Sequence, residues 1–85
     1  MPYIDQDERD VLDPFIEKLH TKITGGGQMN YAITRLLFSW YKQNPCYFSI
    51  CKVMGTLLCV ALEFYRRVAV RYENQKRDEN GEVYK

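Results

Sequence analysis

Residues 50–72 read ICKVMGTLLCVALEFYRRVAVRY, and this stretch decides the fold. From Ile50, the residues Val53, Met54, Leu57, Leu58, Ala61, Leu62, Tyr65, Val68 and Tyr72 recur at steps of three and four, the spacing of one helical face. At 1.5 Å per residue the 23 residues form a rod of about 34 Å. A compact domain of 85 residues has a radius of gyration of only about 12 Å. A rod that outreaches its own core, with an apolar stripe along its length, expects a partner, and helix-mediated homo-oligomerisation is the structural expectation. Gly55 in mid-helix costs about 1 kcal/mol relative to alanine; close approach of another helix would account for it.

Upstream of this rod, Ser49 is placed to cap it, and Asn44-Pro45 stops the helix before it. That earlier helix opens near Asn30 as N-cap and runs to Gln43. Its apolar members Tyr31, Ile33, Leu36, Leu37, Phe38, Trp40 and Tyr41 cover more than one face. Such a helix must be buried on several sides, by its own chain or by a second copy. Thr24-Gly25-Gly26-Gly27 separates it from the first helical segment. As a phosphate cradle this loop lacks both the Gly-Lys-Ser/Thr ending and the preceding strand, so a flexible connection is the better reading. The first segment carries carboxylates where a helix N-terminus favours them. Asp13-Pro14 then reads as a cap and first helical residue, which breaks the segment. Phe15, Ile16, Leu19, His20 and Ile23 follow at helical steps, with His20 on the edge of the stripe as a packed or half-exposed residue.

Downstream, periodicity fades after Lys76, Asn80-Gly81 is a tight-turn pair, and residues 82–84 are extended. They could pair with residues 2–4 in a minimal β-ribbon joining the termini, which would need helix packing beneath it. The expected architecture is all-α: a single domain over 1–85, with three to four helices, a long C-terminal helix and that ribbon. Its expected divisions are 1–4 extended, 5–24 helical with a break at Pro14, 25–29 glycine loop, 30–43 helix, 44–49 loop, 50–76 long helix, and 80–84 turn and tail.

Composition narrows the function classes. Hydrophobic residues at 46% and charged residues at 27% are globular values, which excludes a disordered tail or fibrous repeat. No apolar run approaches the length of about 18–20 residues that spans a bilayer, and the polar start MPYIDQDERD does not read as a signal peptide, so a cytoplasmic, membrane-free protein is expected. Charge is uneven. Residues 1–24 carry six acids and three bases, residues 25–72 six bases and one acid, and residues 73–85 four acids and three bases. A basic middle between acidic ends can present a local cationic site, or the acidic arm can neutralise the basic helices at a packing contact. Cys46, Cys51 and Cys59 lack the paired spacing and nearby histidine of a zinc site, so no metal is expected and the thiols read as reduced, packed or idle. Neither a Gly-x-Ser-x-Gly elbow nor a His-Glu-x-x-His helix occurs, and the chain is read as non-enzymatic, without a cofactor.

One cluster of a single chemistry remains. Tyr65, Arg66, Arg67, Arg71 and Tyr72 lie on the long helix, and Asn30, Tyr31, Thr34 and Arg35 on the one before it. Arginine offers a planar fork for phosphate, tyrosine a face for stacking a base, and Asn and Thr supply donors and acceptors. Glu63 can pair with Arg67 at i,i+4, which leaves Arg66 and Arg71 without an obvious counterion. The expected ligand is a small anionic nucleotide-like molecule held without chemistry. Long nucleic acid fits less well, because the basic face is short and the net charge is only +1. The same residues also suit a solvated face or a protein-interaction hot spot, and an accessory nucleic-acid-binding protein is the third alternative.

Four stretches, MPYI at the start, MNYAITRLL, LEFYRRV and ENGEVY, carry a resemblance over essentially the full length to a family of small uncharacterised helical proteins of bacteria, archaea and their phages. The family pattern usually has a proline where this chain has Arg71, so the helix stop it implies is missing here. Size, helical make-up and phage association are also similar in kind to the oligomeric sponges with which phages sequester cyclic nucleotide signals of bacterial immunity. This likeness implies an anti-defence role in the host cytoplasm.

Overall fold

A computed structural model describes residues 1–85, and every regular element in it is helical. Helix α1 is Gln6–His20, α2 is Gly26–Tyr41, and α3 is the continuous 34-residue helix Tyr47–Asn80. Residues Tyr65–Ala69 within α3 form a wider i→i+5 turn, in which the Val70 N–H donates to the Tyr65 carbonyl. The chain divides into two units, Met1–Val53 and Met54–Lys85.

In the first unit, α1 runs unbroken through Pro14, so the expected break is absent. Asp5 stands at its N-cap without a side-chain bond. The start is held instead by Arg9, whose Nε donates to the Ile4 carbonyl at 2.8 Å. Asp7 and Glu8 sit in the first turn, where the helix dipole favours them. The helix ends at His20, short of residue 24, in two tight turns from the Lys22 and Ile23 N–H groups to the Leu19 and His20 carbonyls.

Helix α2 begins four residues before the expected cap Asn30. Gly25 is the N-cap, and the reason lies in Gln28: its Oε1 accepts from both the Thr24 N–H (2.6 Å) and the Thr24 hydroxyl (3.0 Å). A glutamine at N3 reaching back across the helix start is half of a capping box, and it offsets the cost of Gly26 and Gly27 in the first turn. The flexible connection therefore shrinks to residues 21–25. Helix α1 and helix α2 do not pack on each other.

The start of α3 holds the one buried side chain in the chain. Ser49, 4% exposed, lies inside the first turn, not at the cap, and donates its hydroxyl to the Asn44 carbonyl at 2.7 Å. Cys46 precedes the helix, its carbonyl accepting from the Ile50 N–H.

In the second unit, α3 continues past Lys76 to Asn80. Gln75 and Lys76 both reach Glu79, at 3.3 Å each, and these local pairs carry the helix beyond its apolar stripe. Arg71, where the family pattern has proline, supplies the N–H a helix needs, and no stop occurs. Gly81 ends the helix at φ 96°, its N–H donating to the Arg77 carbonyl at 2.8 Å; this backbone region favours glycine. Neither terminal segment pairs, so the expected β-ribbon does not form. Three-residue strands with no helix face beneath them gain too little to offset their ordering.

No hydrophobic residue is buried. Helix α3 also contains an 18-residue window of mean hydropathy 1.6, 6% buried, making it long and apolar enough to cross a membrane by length and composition. This corrects the sequence expectation that no apolar run approaches that length. Lys52 and Glu63 interrupt the run without lowering the average enough.

Candidate functional site

The predicted residues fall into two groups, one in each unit. On α2, residues four apart share a face, and the four candidates pair along it. The Arg35 guanidinium donates to the Tyr31 hydroxyl at 2.9 Å and lies 5.8 Å from the centre of its ring. The Thr34 hydroxyl donates to the Asn30 Oδ1 at 3.2 Å. Arg35 is thus held over tyrosine by neutral partners and keeps its charge uncompensated. All four side chains are solvent-exposed.

The second group surrounds the wide turn of α3. Here the expected Glu63–Arg67 pair gives way to Arg66, whose guanidinium donates to both Glu63 carboxylate oxygens at 3.1 and 3.2 Å. Past Phe64 the helix widens at the i→i+5 turn. An extra residue in one turn makes everything downstream lag an unbroken α-helix by about 100°, one residue's share of 3.6 per turn. Arg71 therefore moves toward the row of Arg66, and Tyr72 toward that of Arg67 and away from Tyr65. The single stripe expected to join Tyr65 to Tyr72 is broken at this point.

Arg67 and Arg71 form no ion pair within the chain. Tyr65 and Tyr72 beside them are 61% and 57% exposed, and Lys76 lies over the Tyr72 ring at 5.6 Å. This end of α3 offers two uncompensated guanidiniums, a third held by Glu63, and two accessible aromatic rings. It can bind an oxyanion and a planar group. It presents no general acid–base pair, and no group of metal-ligating side chains occurs.

Sequence reasoning missed one feature of this unit. Residues 81–84 turn back along the helix end and enclose a shallow concavity of about 370 Å³ with Glu73, Lys76 and Arg77. Its cations are already engaged, Lys76 with Glu79 and Arg77 with Asp78. The signal was Gly81, read as a tight turn when it is a helix terminator that reverses the chain.

Cys46 is also distinctive. Hydrogen bonding from the Ser49 side chain, 3.5 Å away, and then from the Ser49 and Phe48 N–H groups holds its thiol below the ordinary range. The Ser49 hydroxyl donates its one proton to the Asn44 carbonyl, so the two N–H groups at the helix start are the steadier cause.

No curated protein and no solved structure matches the chain. A family profile described as a domain of unknown function (DUF6899) matches residues 1–83, in keeping with the uncharacterised family that the four sequence stretches resemble. The chain belongs to the DUF6899 family.

Proposed function

We propose that this chain is a non-enzymatic, oligomeric binding protein that sequesters a phosphorylated nucleotide-type ligand. The observation that carries the reading is the pair Arg67 and Arg71, without carboxylate partners in the chain and flanked by exposed Tyr65 and Tyr72. Guanidiniums bind phosphate through forked, charge-assisted hydrogen bonds, and tyrosine rings stack on bases without regard to sequence. Arg66, braced by Glu63, would add a further contact, and the α2 group Asn30, Tyr31, Thr34 and Arg35 is a separate candidate of the same chemistry in the other unit. The concrete form is a phage anti-defence sponge that holds a cyclic nucleotide signal in the host cytoplasm.

The test is a panel of cyclic di- and trinucleotides added to the purified protein, read by melting temperature and calorimetry. Ligand at 100 times Kd adds about 2.7 kcal/mol to the stability of the native state. The bound nucleotide should be recovered intact after heating. Loss of binding in the Arg67→Ala/Arg71→Ala double variant supports the reading, and a flat panel refutes it.

A second reading has its own observation: Tyr47 at 80% and Phe48 at 67% exposure, with Trp40 also open. Aromatic and arginine side chains are the usual hot spots of protein interfaces, which suits an interaction module acting on a host protein. A flat nucleotide panel together with stoichiometric capture of one purified host protein favours it.

A further inference from the structure

At 100° per residue, the segment Tyr47–Phe64 of α3 is apolar over about three quarters of its circumference, with Ser49, Lys52, Thr56 and Glu63 gathered on the remaining strip. Met54, Leu58, Val60, Leu62 and Phe64 are each about 60% exposed, although they point in different directions around the axis. In water a helix with so wide an apolar face needs more than one neighbour, because one neighbour covers only one face.

The exposed side chains of one unit support the same conclusion: Met54, Leu58, Val60, Leu62 and Phe64 lie within eleven residues of one helix, a concentrated apolar surface of the kind that marks an interaction site. Charge complements it: α1 carries five carboxylates against two cations, while Arg67 and Arg71 lack partners.

We infer that the occupant of this surface is further copies of the same chain, with Tyr47–Phe64 at the centre of an inter-subunit helical bundle. Folding and assembly are then one process, since no hydrophobic core exists to hold a lone subunit. More than one neighbouring helix surrounds each Tyr47–Phe64 segment, and an acidic α1 lies near the arginine end of a neighbour. This deepens the oligomeric part of the function proposed above and does not depend on the ligand.

Light scattering in detergent-free buffer, with melting followed over a hundredfold dilution, tests the inference. The expected result is a discrete mass of several subunits and a melting temperature that falls with each tenfold dilution. Cys51 and Cys59, exposed in the single chain, should react with a thiol reagent at least tenfold more slowly in the native assembly than after unfolding. Leu58→Glu should dissociate the assembly, whereas Arg67→Ala/Arg71→Ala, which removes only its charge contacts with a neighbouring α1, should lower its melting temperature and leave a multimer that no longer binds nucleotide. A folded monomer with rapidly reacting thiols overturns the inference. So does a protein recovered only in membranes or detergent, which would assign the apolar helix to a bilayer. A multimer of correct mass that binds no nucleotide upholds the assembly and refutes only the ligand.

Discussion

Pro14→Ala probes the clearest local disagreement between sequence pattern and structure. Pro14 lies in the interior of α1, which runs from Gln6 to His20. There it has no N–H for the Asp10 carbonyl, and its ring crowds the preceding turn. Relative to alanine, an interior proline costs about 3 kcal/mol. Part of this is offset because proline restricts the unfolded chain, by about 0.4–1 kcal/mol. The net gain expected for the substitution is therefore about 2 kcal/mol, equivalent to about thirtyfold in an opening equilibrium. Amide hydrogen exchange is the assay, because α1 contains no buried residue and can open without the rest of the chain. Amides on both sides of position 14 should gain protection together, by about thirtyfold, with a rise in helical circular dichroism. Unchanged protection would refute the reasoning. It would mean that Asp13 and Pro14 form a helix start, where proline costs little and its replacement brings no gain.

Other outcomes follow from single contacts. Ser49→Ala leaves the Asn44 carbonyl without its 2.7 Å donor and should cost about 1–2 kcal/mol in a denaturant titration. In the unaltered protein, Cys46 alkylation should reach half its maximal rate at a pH below that of an ordinary thiol. Because the folded-state pKa is lowered, the contribution of Cys46 to stability is present above the unfolded thiol pKa and lost as pH falls through the folded one. Glu63→Gln removes an ion pair whose arginine is 63% exposed, so stability should change by less than about 1 kcal/mol, while the freed Arg66 should strengthen anion binding in calorimetry. At Gly55 a Cβ would meet nothing within 4 Å in the single chain, so helix propensity alone favours Gly55→Ala by about 1 kcal/mol. In the assembled protein the same methyl group meets a neighbouring helix, and melting temperature at matched concentration should fall. A rise would place Gly55 on an open face.

The sequence by itself determined the helical class, the order of helices and the long C-terminal rod. These follow from apolar spacing and from strong local breakers such as Asn44-Pro45, which act without reference to the rest of the chain. It also named the arginine and tyrosine candidates, which the structure places in two groups, one in each unit. Helix ends were less legible, because each was decided by a specific side-chain reach: Gln28 to Thr24 starts α2 early, and Gln75 and Lys76 to Glu79 carry α3 past its apolar stripe. Residue spacing cannot show an i→i+5 turn, since periodicity arguments assume 3.6 residues throughout. Only the three-dimensional structure placed that turn at Tyr65–Ala69 and gave Glu63 the partner Arg66 in place of Arg67. The structure alone also revealed that the apolar faces remain uncovered within one chain. A sequence pattern specifies which faces must leave water, but what covers them is decided by tertiary and quaternary placement, which residue spacing does not encode.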